Sequence, residues 1–190
     1  MLINNETIIK DDNPLIRQKS EDVSIPLSAE DEKLAMDMLQ YVKDSIDPEK
    51  SEALNLRPAV GISAIQVGIP KKITAVYIIE DVDDKGNPTK VFQAVLANPK
   101  IVSKSSEKAY LKDGEGCLSV EAAHPGHIFR AARVTVSGYD ILEKKEKTIR
   151  ARGFNAVCLQ HELDHFQGTL FYDHIDVKNP DKIIPGAIEI

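Results

Sequence analysis

Between Ser28 and Ile46 the apolar residues Leu34, Met38, Tyr41, Val42 and Ile46 recur at helical spacing, which predicts a helix with one core-facing stripe. Ser28 suits the N-cap, Glu30 and Asp31 suit the first turn, and Pro48 helps to end the segment. From Lys72 the pattern changes. Ile73-Thr74-Ala75-Val76-Tyr77-Ile78-Ile79 is β-branched and aromatic, follows Gly68 and Pro70, and predicts a strand. Residues 80–89, with Asp83-Asp84-Lys85-Gly86-Asn87-Pro88, carry turn chemistry and predict a surface loop. Val91 to Leu96 reads as the next strand, and Ile101-Val102 as the start of another. Val134 to Tyr139 alternates apolar and polar residues, as a half-buried antiparallel strand does. Lys147 to Arg152 pairs back to it across a Glu143-Lys144-Lys145 turn.

A second helix is predicted from Phe154 to about Gln167, stopped by Gly168. Phe154, Ala156, Val157, Cys158, Leu159, Leu163 and Phe166 make it apolar on nearly every side, so it belongs at the centre of the fold, enclosed by sheets. The histidines and carboxylates within it are costly to bury unless a metal or paired charges satisfy them. Helices mixed with mostly antiparallel strands packed around this central helix define an α+β fold class. With 190 residues and no internal repeat, a single domain over 1–190 is expected.

Composition narrows the setting. An apolar content of 42% with 28% charged residues describes a soluble globular protein, and no apolar run approaches the roughly 18 residues that a bilayer requires. The start, Met1-Leu2-Ile3-Asn4-Asn5-Glu6, lacks the pattern of a secretory signal, so a cytoplasmic location is expected. A net charge of −6 argues against direct nucleic-acid binding by bulk electrostatics. In a reducing compartment Cys117 and Cys158 are better suited to metal ligation or the core than to a disulfide.

The chemistry concentrates in Gln160-His161-Glu162-Leu163-Asp164-His165. On a helix, His161 and His165 stand one turn apart on one face, close enough to share a metal ion. Glu162 is placed to reach water at that ion without ligating it, the H-E-x-x-H arrangement of metal-dependent hydrolases. A catalytic ion normally has a third protein ligand. Cys117, flanked by glycine in Gly114-Glu115-Gly116-Cys117-Leu118-Ser119, is one candidate, and its alternative is a small buried hydrophobe. Cys158, three residues before His161, is the rival, although the apolar helical pattern already accounts for it.

With those residues in view, the chain resembles the peptide deformylases, enzymes that remove the formyl group from the N-terminal methionine of new bacterial proteins. Three ordered motifs carry the resemblance: Ala59-Val60-Gly61-Ile62-Ser63-Ala64-Ile65-Gln66, Glu115-Gly116-Cys117-Leu118-Ser119, and Gln160 to His165. Asn13-Pro14-Leu15-Ile16-Arg17 is similar to the family's opening segment. In the first motif Ala59 stands where the family has glycine and Ser63 where it has alanine, which bears on pocket preference rather than on the chemistry. The acidic loop before the second motif and the non-helical ending resemble the type II branch, so a carboxy-terminal ribosome anchor does not carry over.

The resemblance implies Cys117, His161 and His165 as ligands of one divalent ion per chain, natively Fe2+, with Zn2+, Ni2+ or Co2+ able to substitute. It implies Glu162 as general base, and the Gln66 side-chain amide with the Leu118 backbone N–H as oxyanion donors. Val60, Gly61, Gly116, Leu118 and His161 are expected around the methionine side chain. Glu115 is expected to pair with Arg130, which otherwise reads as a solvent-facing strand residue. Asp164 supports a ligand imidazole or nearby backbone, or is a plain helix-surface carboxylate. His124 and His127 read as solvated loop residues, and His174 as structural. The implied partners are N-formylmethionyl nascent peptides, with transient ribosome association as a further expectation. Two rivals are a zinc endopeptidase, whose third ligand normally lies downstream, and a structural metal site, which is generally closed by four protein ligands.

Overall fold

The computed structural model describes residues 2–190. Its frame is a five-stranded antiparallel sheet in the order β1 (Gly61–Ser63), β2 (Ile73–Val82), β3 (Pro88–Lys104), β6 (Arg133–Asp140) and β7 (Lys145–Arg152). A three-stranded sheet runs β5 (Arg130–Ala131), β4 (Lys108–Tyr110), β8 (Ile188–Glu189). In it β8 lies parallel to β4, whereas the other pairings between these strands are antiparallel. The expected α+β architecture is the observed one.

Strand β2 explains where the layers sit. Its Ile73 and Ala75 pack with Leu34, Met38 and Val42 of α1 (Ala29–Ser45), whereas Val76 and Ile78 pack with Ala156 and Leu159 of α3 (Gly153–His165). A strand covered by a helix on each face must be apolar on both, which is why this segment lacks alternation. The motif helix α3 therefore lies against the sheet, with β1 and β5 beside it and a third cluster containing Ile16, Ile65, Leu170 and Phe171 nearby. Among the described residues, no helix is long and apolar enough to cross a membrane.

The helix boundaries follow local chemistry. Ser28 caps α1, its Oγ accepting from the Asp31 N–H at 3.1 Å. Helix α1 ends at Ser45, close to the expected limit before Pro48, and Pro48 itself opens α2 (Pro48–Ala53), with the Asp47 carboxylate accepting from the Glu49 and Lys50 N–H groups. Proline suits a first helical turn, where its missing N–H would have had no partner.

Two strand expectations are revised. The loop expected over residues 80–89 shrinks to 83–87, because Asp81 and Val82 still pair with Lys90 and Pro88. The two strands expected at 91–96 and from 101 are one bent strand, β3. Pro99 donates no backbone hydrogen bond, and the pairing with β6 shifts register between Ala97 and Lys100. Asn98 takes φ +50° at the bend and ties it to the amino-terminal segment, its side chain bonding the N–H and C=O of Val23 at 2.8 Å each.

Helix α3 ends at His165, two residues short of the expected limit, and the chain turns away at Gly168 with φ +69°. Residues 14–17 pack against this turn, and a Cβ at Gly168 would stand 2.1 Å from the Arg17 carbonyl oxygen. Backbone atoms at that distance leave no room and φ is unfavourable, so only glycine fits. Gly168→Ala is expected to destabilise the protein by more than about 1 kcal/mol, read as a lowered urea midpoint at unchanged slope.

Candidate metal centre

Three elements bring the polar motif residues together. Helix α3 supplies His161, Glu162 and His165, the turn after β4 supplies Glu115 to Ser119, and β1 with the following 3-10 turn supplies Gly61 to Gln66. One ligand atom from each of Cys117, His161 and His165 lies within 4.8 Å of the others, and all three side chains are buried. Cys158 is not in this group. It is buried in an apolar cluster with Ala156 and Leu159, and burial with the nearby Glu162 charge pushes its thiol well up, away from the thiolate a metal needs.

The donor set fits a divalent transition metal. Burial opposes ionisation of Cys117, but the charges and hydrogen bonds of His165 and His161 outweigh it and hold the thiol well below its ordinary range. The Sγ stands 3.4 Å from Nε2 of His165. A thiolate with two imidazoles suits borderline ions such as Fe2+, Zn2+, Ni2+ and Co2+, and is a poor set for calcium or magnesium.

Glu115 organises the surroundings. Its carboxylate accepts from Nδ1 of His161 at 2.8 Å and from Nη2 of Arg130 at 2.8 Å, with a further bond from Nε of Arg130. A proton kept on Nδ1 leaves the Nε2 lone pair of His161 available to a metal. Burial pushes the Glu115 carboxyl up, yet the bonds from His161 and Arg130 hold it below the usual carboxylate range. Arg130 is 5% exposed and reaches the Asp164 carboxylate with Nη1 at 2.8 Å, so the solvent-facing alternative for it is set aside. Removing one member of such a buried ion pair typically costs about 3–5 kcal/mol.

Asp164 bonds Arg130 and, at 2.7 Å, Nε2 of His174. Its partners are therefore not the ligand imidazoles, because the side chain leaves α3 on the side that faces Arg130. His124 stacks on Tyr172 at 4.1 Å between ring centroids, and His127 lies beside Tyr110, both apart from the ligand group.

Cys117 and His161 open onto a cavity of about 310 Å³ that is also lined by Val60, Gly61, Gln66, Gly116, Leu118 and Glu162. The Gln66 amide is fixed at both ends: Oε1 accepts from the Ser63 N–H at 2.8 Å, and Nε2 lies 3.4 Å from Cys117 Sγ and 3.3 Å from Ser119 Oγ. Among the described residues, the Leu118 N–H meets no acceptor, while its carbonyl accepts from Lys10. Burial pushes the Glu162 carboxyl up, His161 and His165 pull against that, and the balance leaves it above the ordinary range. Carboxyls raised in this way suit work as both base and acid.

Sequence reasoning missed the rest of the wall. Phe154, Val157 and Cys158 line the cavity with His161 and Glu162, and that i, i+3, i+4, i+7, i+8 spacing was the available signal. Ile46 and Leu111 reach the cavity from elsewhere in the chain, with no local mark.

A buried Cys-His-His donor set with Glu162 beside it, on an α+β frame, is consistent with a metal-dependent hydrolase. A family model for polypeptide deformylase matches residues 5–181, and the chain belongs to that family. A peptide deformylase of Streptococcus pyogenes serotype M5 (strain Manfredo) is 47% identical over 182 residues, 94% of this chain and 89% of its own length. Among solved structures, the class I type b peptide deformylase of Acinetobacter baumannii bound to Met-Ala-Ser superposes with a TM-score of 0.68 at 27% identity, covering 92% of this chain and all (100%) of that one. A probable peptide deformylase from Synechococcus phage S-SSM7 gives 0.65 at 29%, covering 88% and 98%. Members of this family remove the N-formyl group from nascent peptides, and that hydrolysis is the activity of this chain.

Gly61 makes the geometry possible. A Cβ there would stand 2.6 Å from Oε1 of Glu162 and 2.9 Å from its Cδ. Gly61→Ala is therefore expected to keep the bound metal and lose about 10²-fold in kcat through the displaced carboxylate, checked by metal analysis beside steady-state kinetics.

Proposed function

We propose that Cys117, His161 and His165 hold a single divalent ion, natively Fe2+, and that the whole chain, 1–190, works as one catalytic domain on N-formylmethionyl nascent peptides. The observation that carries this reading is the approach of the three donors to within 4.8 Å beside the cavity that Glu162 also lines. When bound, the ion supplies Lewis acidity and makes hydroxide available near neutral pH.

The chain's own residues do the rest. Glu162 takes the proton of the attacking water, and carbon–oxygen bond formation at the formyl carbon turns its carbonyl into an oxyanion. The Gln66 Nε2–H and the Leu118 N–H donate to that oxygen, each such donor typically worth about 2.7–4 kcal/mol. Glu162 then returns the proton to the departing nitrogen as the carbon–nitrogen bond breaks, releasing formate and a free amino terminus. Val60, Gly61, Gly116 and Leu118 with the ring of His161 border the methionine side chain. Arg130 and Glu115 hold the cysteine segment and His161 in register, and Asp164 braces Arg130. The Met-Ala-Ser bound to the Acinetobacter structure supports a peptide of that kind in this cavity. Action on nascent peptides supports a cytoplasmic location and a transient association with ribosomes.

An upstream thiolate as third donor favours this reading over a zinc endopeptidase, and a group of three donors rather than four among the described residues favours it over a structural site. Anaerobically prepared, iron-loaded protein is expected to release formate from formyl-Met-Ala-Ser. Chelation should abolish that release and added Fe2+ should restore it; cleavage of unformylated internal peptide bonds instead would support the endopeptidase. Glu162→Ala is expected to retain its metal and lose about 10²–10⁴-fold in turnover, and near-normal turnover in the metal-loaded variant would reject the assignment.

A further inference from the structure

Ser63 ends β1 and is completely buried, at 0% exposure. Its Oγ lies 2.9 Å from Oε2 of Glu162, 2.9 Å from the carbonyl oxygen of the same residue, and 3.4 Å from Oγ1 of Thr74. The Thr74 hydroxyl donates its proton to the Ile62 carbonyl at 3.0 Å, so it offers Ser63 only a lone pair. Ser63 therefore has one proton and three acceptors. A charged oxygen takes such a proton in preference, because charge-assisted hydrogen bonds are roughly twice as strong as neutral ones.

Among the described residues, Ser63 is the one side chain that hydrogen-bonds the Glu162 carboxylate. The other oxygen, Oε1, lies against Gly61 and receives no hydrogen bond among those residues. The backbone N–H of Ser63 meanwhile donates to Gln66 Oε1 at 2.8 Å. One small residue thus touches both the carboxylate and the amide of the reaction centre. Alanine occupies this position in the motif that the chain resembles, so the hydroxyl is a feature of this chain rather than a requirement of the fold.

We propose that Ser63 is a positioning residue for deformylation: its hydroxyl holds Oε2 of Glu162 and so leaves Oε1 as the oxygen that carries the proton from water to the departing amine. The inference rests on the role given to Glu162 above. It makes the two carboxylate oxygens inequivalent, one a fixed anchor and the other the working atom. A carboxylate without that anchor is free to rotate about its last bond, whose torsional preference is broad. Part of the population is then misaligned for proton transfer while the cavity keeps its shape.

Ser63→Ala removes the hydroxyl and keeps both the space and the backbone N–H that bonds Gln66. Wild type and variant, loaded with the same metal, are to be compared by kinetics on formyl-Met-Ala-Ser, by metal analysis and by high-resolution crystallography. The expected result is a fall of about 10-fold in kcat with KM and metal content unchanged, and a Glu162 carboxylate rotated or split between orientations. An unchanged kcat with an undisturbed carboxylate overturns the proposal. So does a joint fall of kcat, KM quality and metal content, since that is what a merely structural hydroxyl produces. Wild-type protein that releases no formate would instead sink the functional reading, and the crystal structures would still decide whether Ser63 orients Glu162.

Discussion

The buried carboxylate of Glu115 is the constraint on which the rest of the centre depends. It is shared between the guanidinium of Arg130 and Nδ1 of His161, so one pair of oxygens joins β5, the cysteine turn and α3. Loss of either Glu115 or Arg130 would leave the other with only part of its compensation, Asp164 for the guanidinium and His161 for the carboxylate, in a site where a poorly paired ion is costly. The same bond that neutralises the charge also selects the His161 tautomer. Structural stability and readiness for the metal are therefore one arrangement seen from two sides.

Around that pair the sheet acts as a partition. Helix α1 covers one face of β2 and β3, and α3 covers the other, so the site is built on the face where the sheet edge at β1 leaves a cavity open. Crowding at that edge is severe: glycine at 61 admits the Glu162 carboxylate, and serine at 63 meets its second oxygen. Apolar packing sets the positions of these backbones, and a few polar bonds then determine the direction of each reacting atom.

Much of this was legible along the chain. The stripe in α1, the unbroken apolar run of β2 and the alternation of β6 each carry the signature of their packing, because helix and strand periodicities are local properties. The H-E-x-x-H spacing was legible for the same reason. The continuous β3 was not, since Asn98-Pro99 reads locally as a break and only pairing with β2 and β6 on either side of the bend carries the strand through. Pro48 likewise fits the end of one helix as well as the start of the next.

By itself the sequence determined the element types, the two imidazoles on one helical face and the three ordered motifs, all of which depend on neighbours within a few residues. Tertiary structure alone decided which cysteine meets those imidazoles, that Asp164 faces Arg130 and His174, and that the Ser63 hydroxyl reaches Glu162 across 99 positions. Such contacts join segments remote in the chain, and their geometry is set by the packing of sheets and helices between them, which no local pattern encodes.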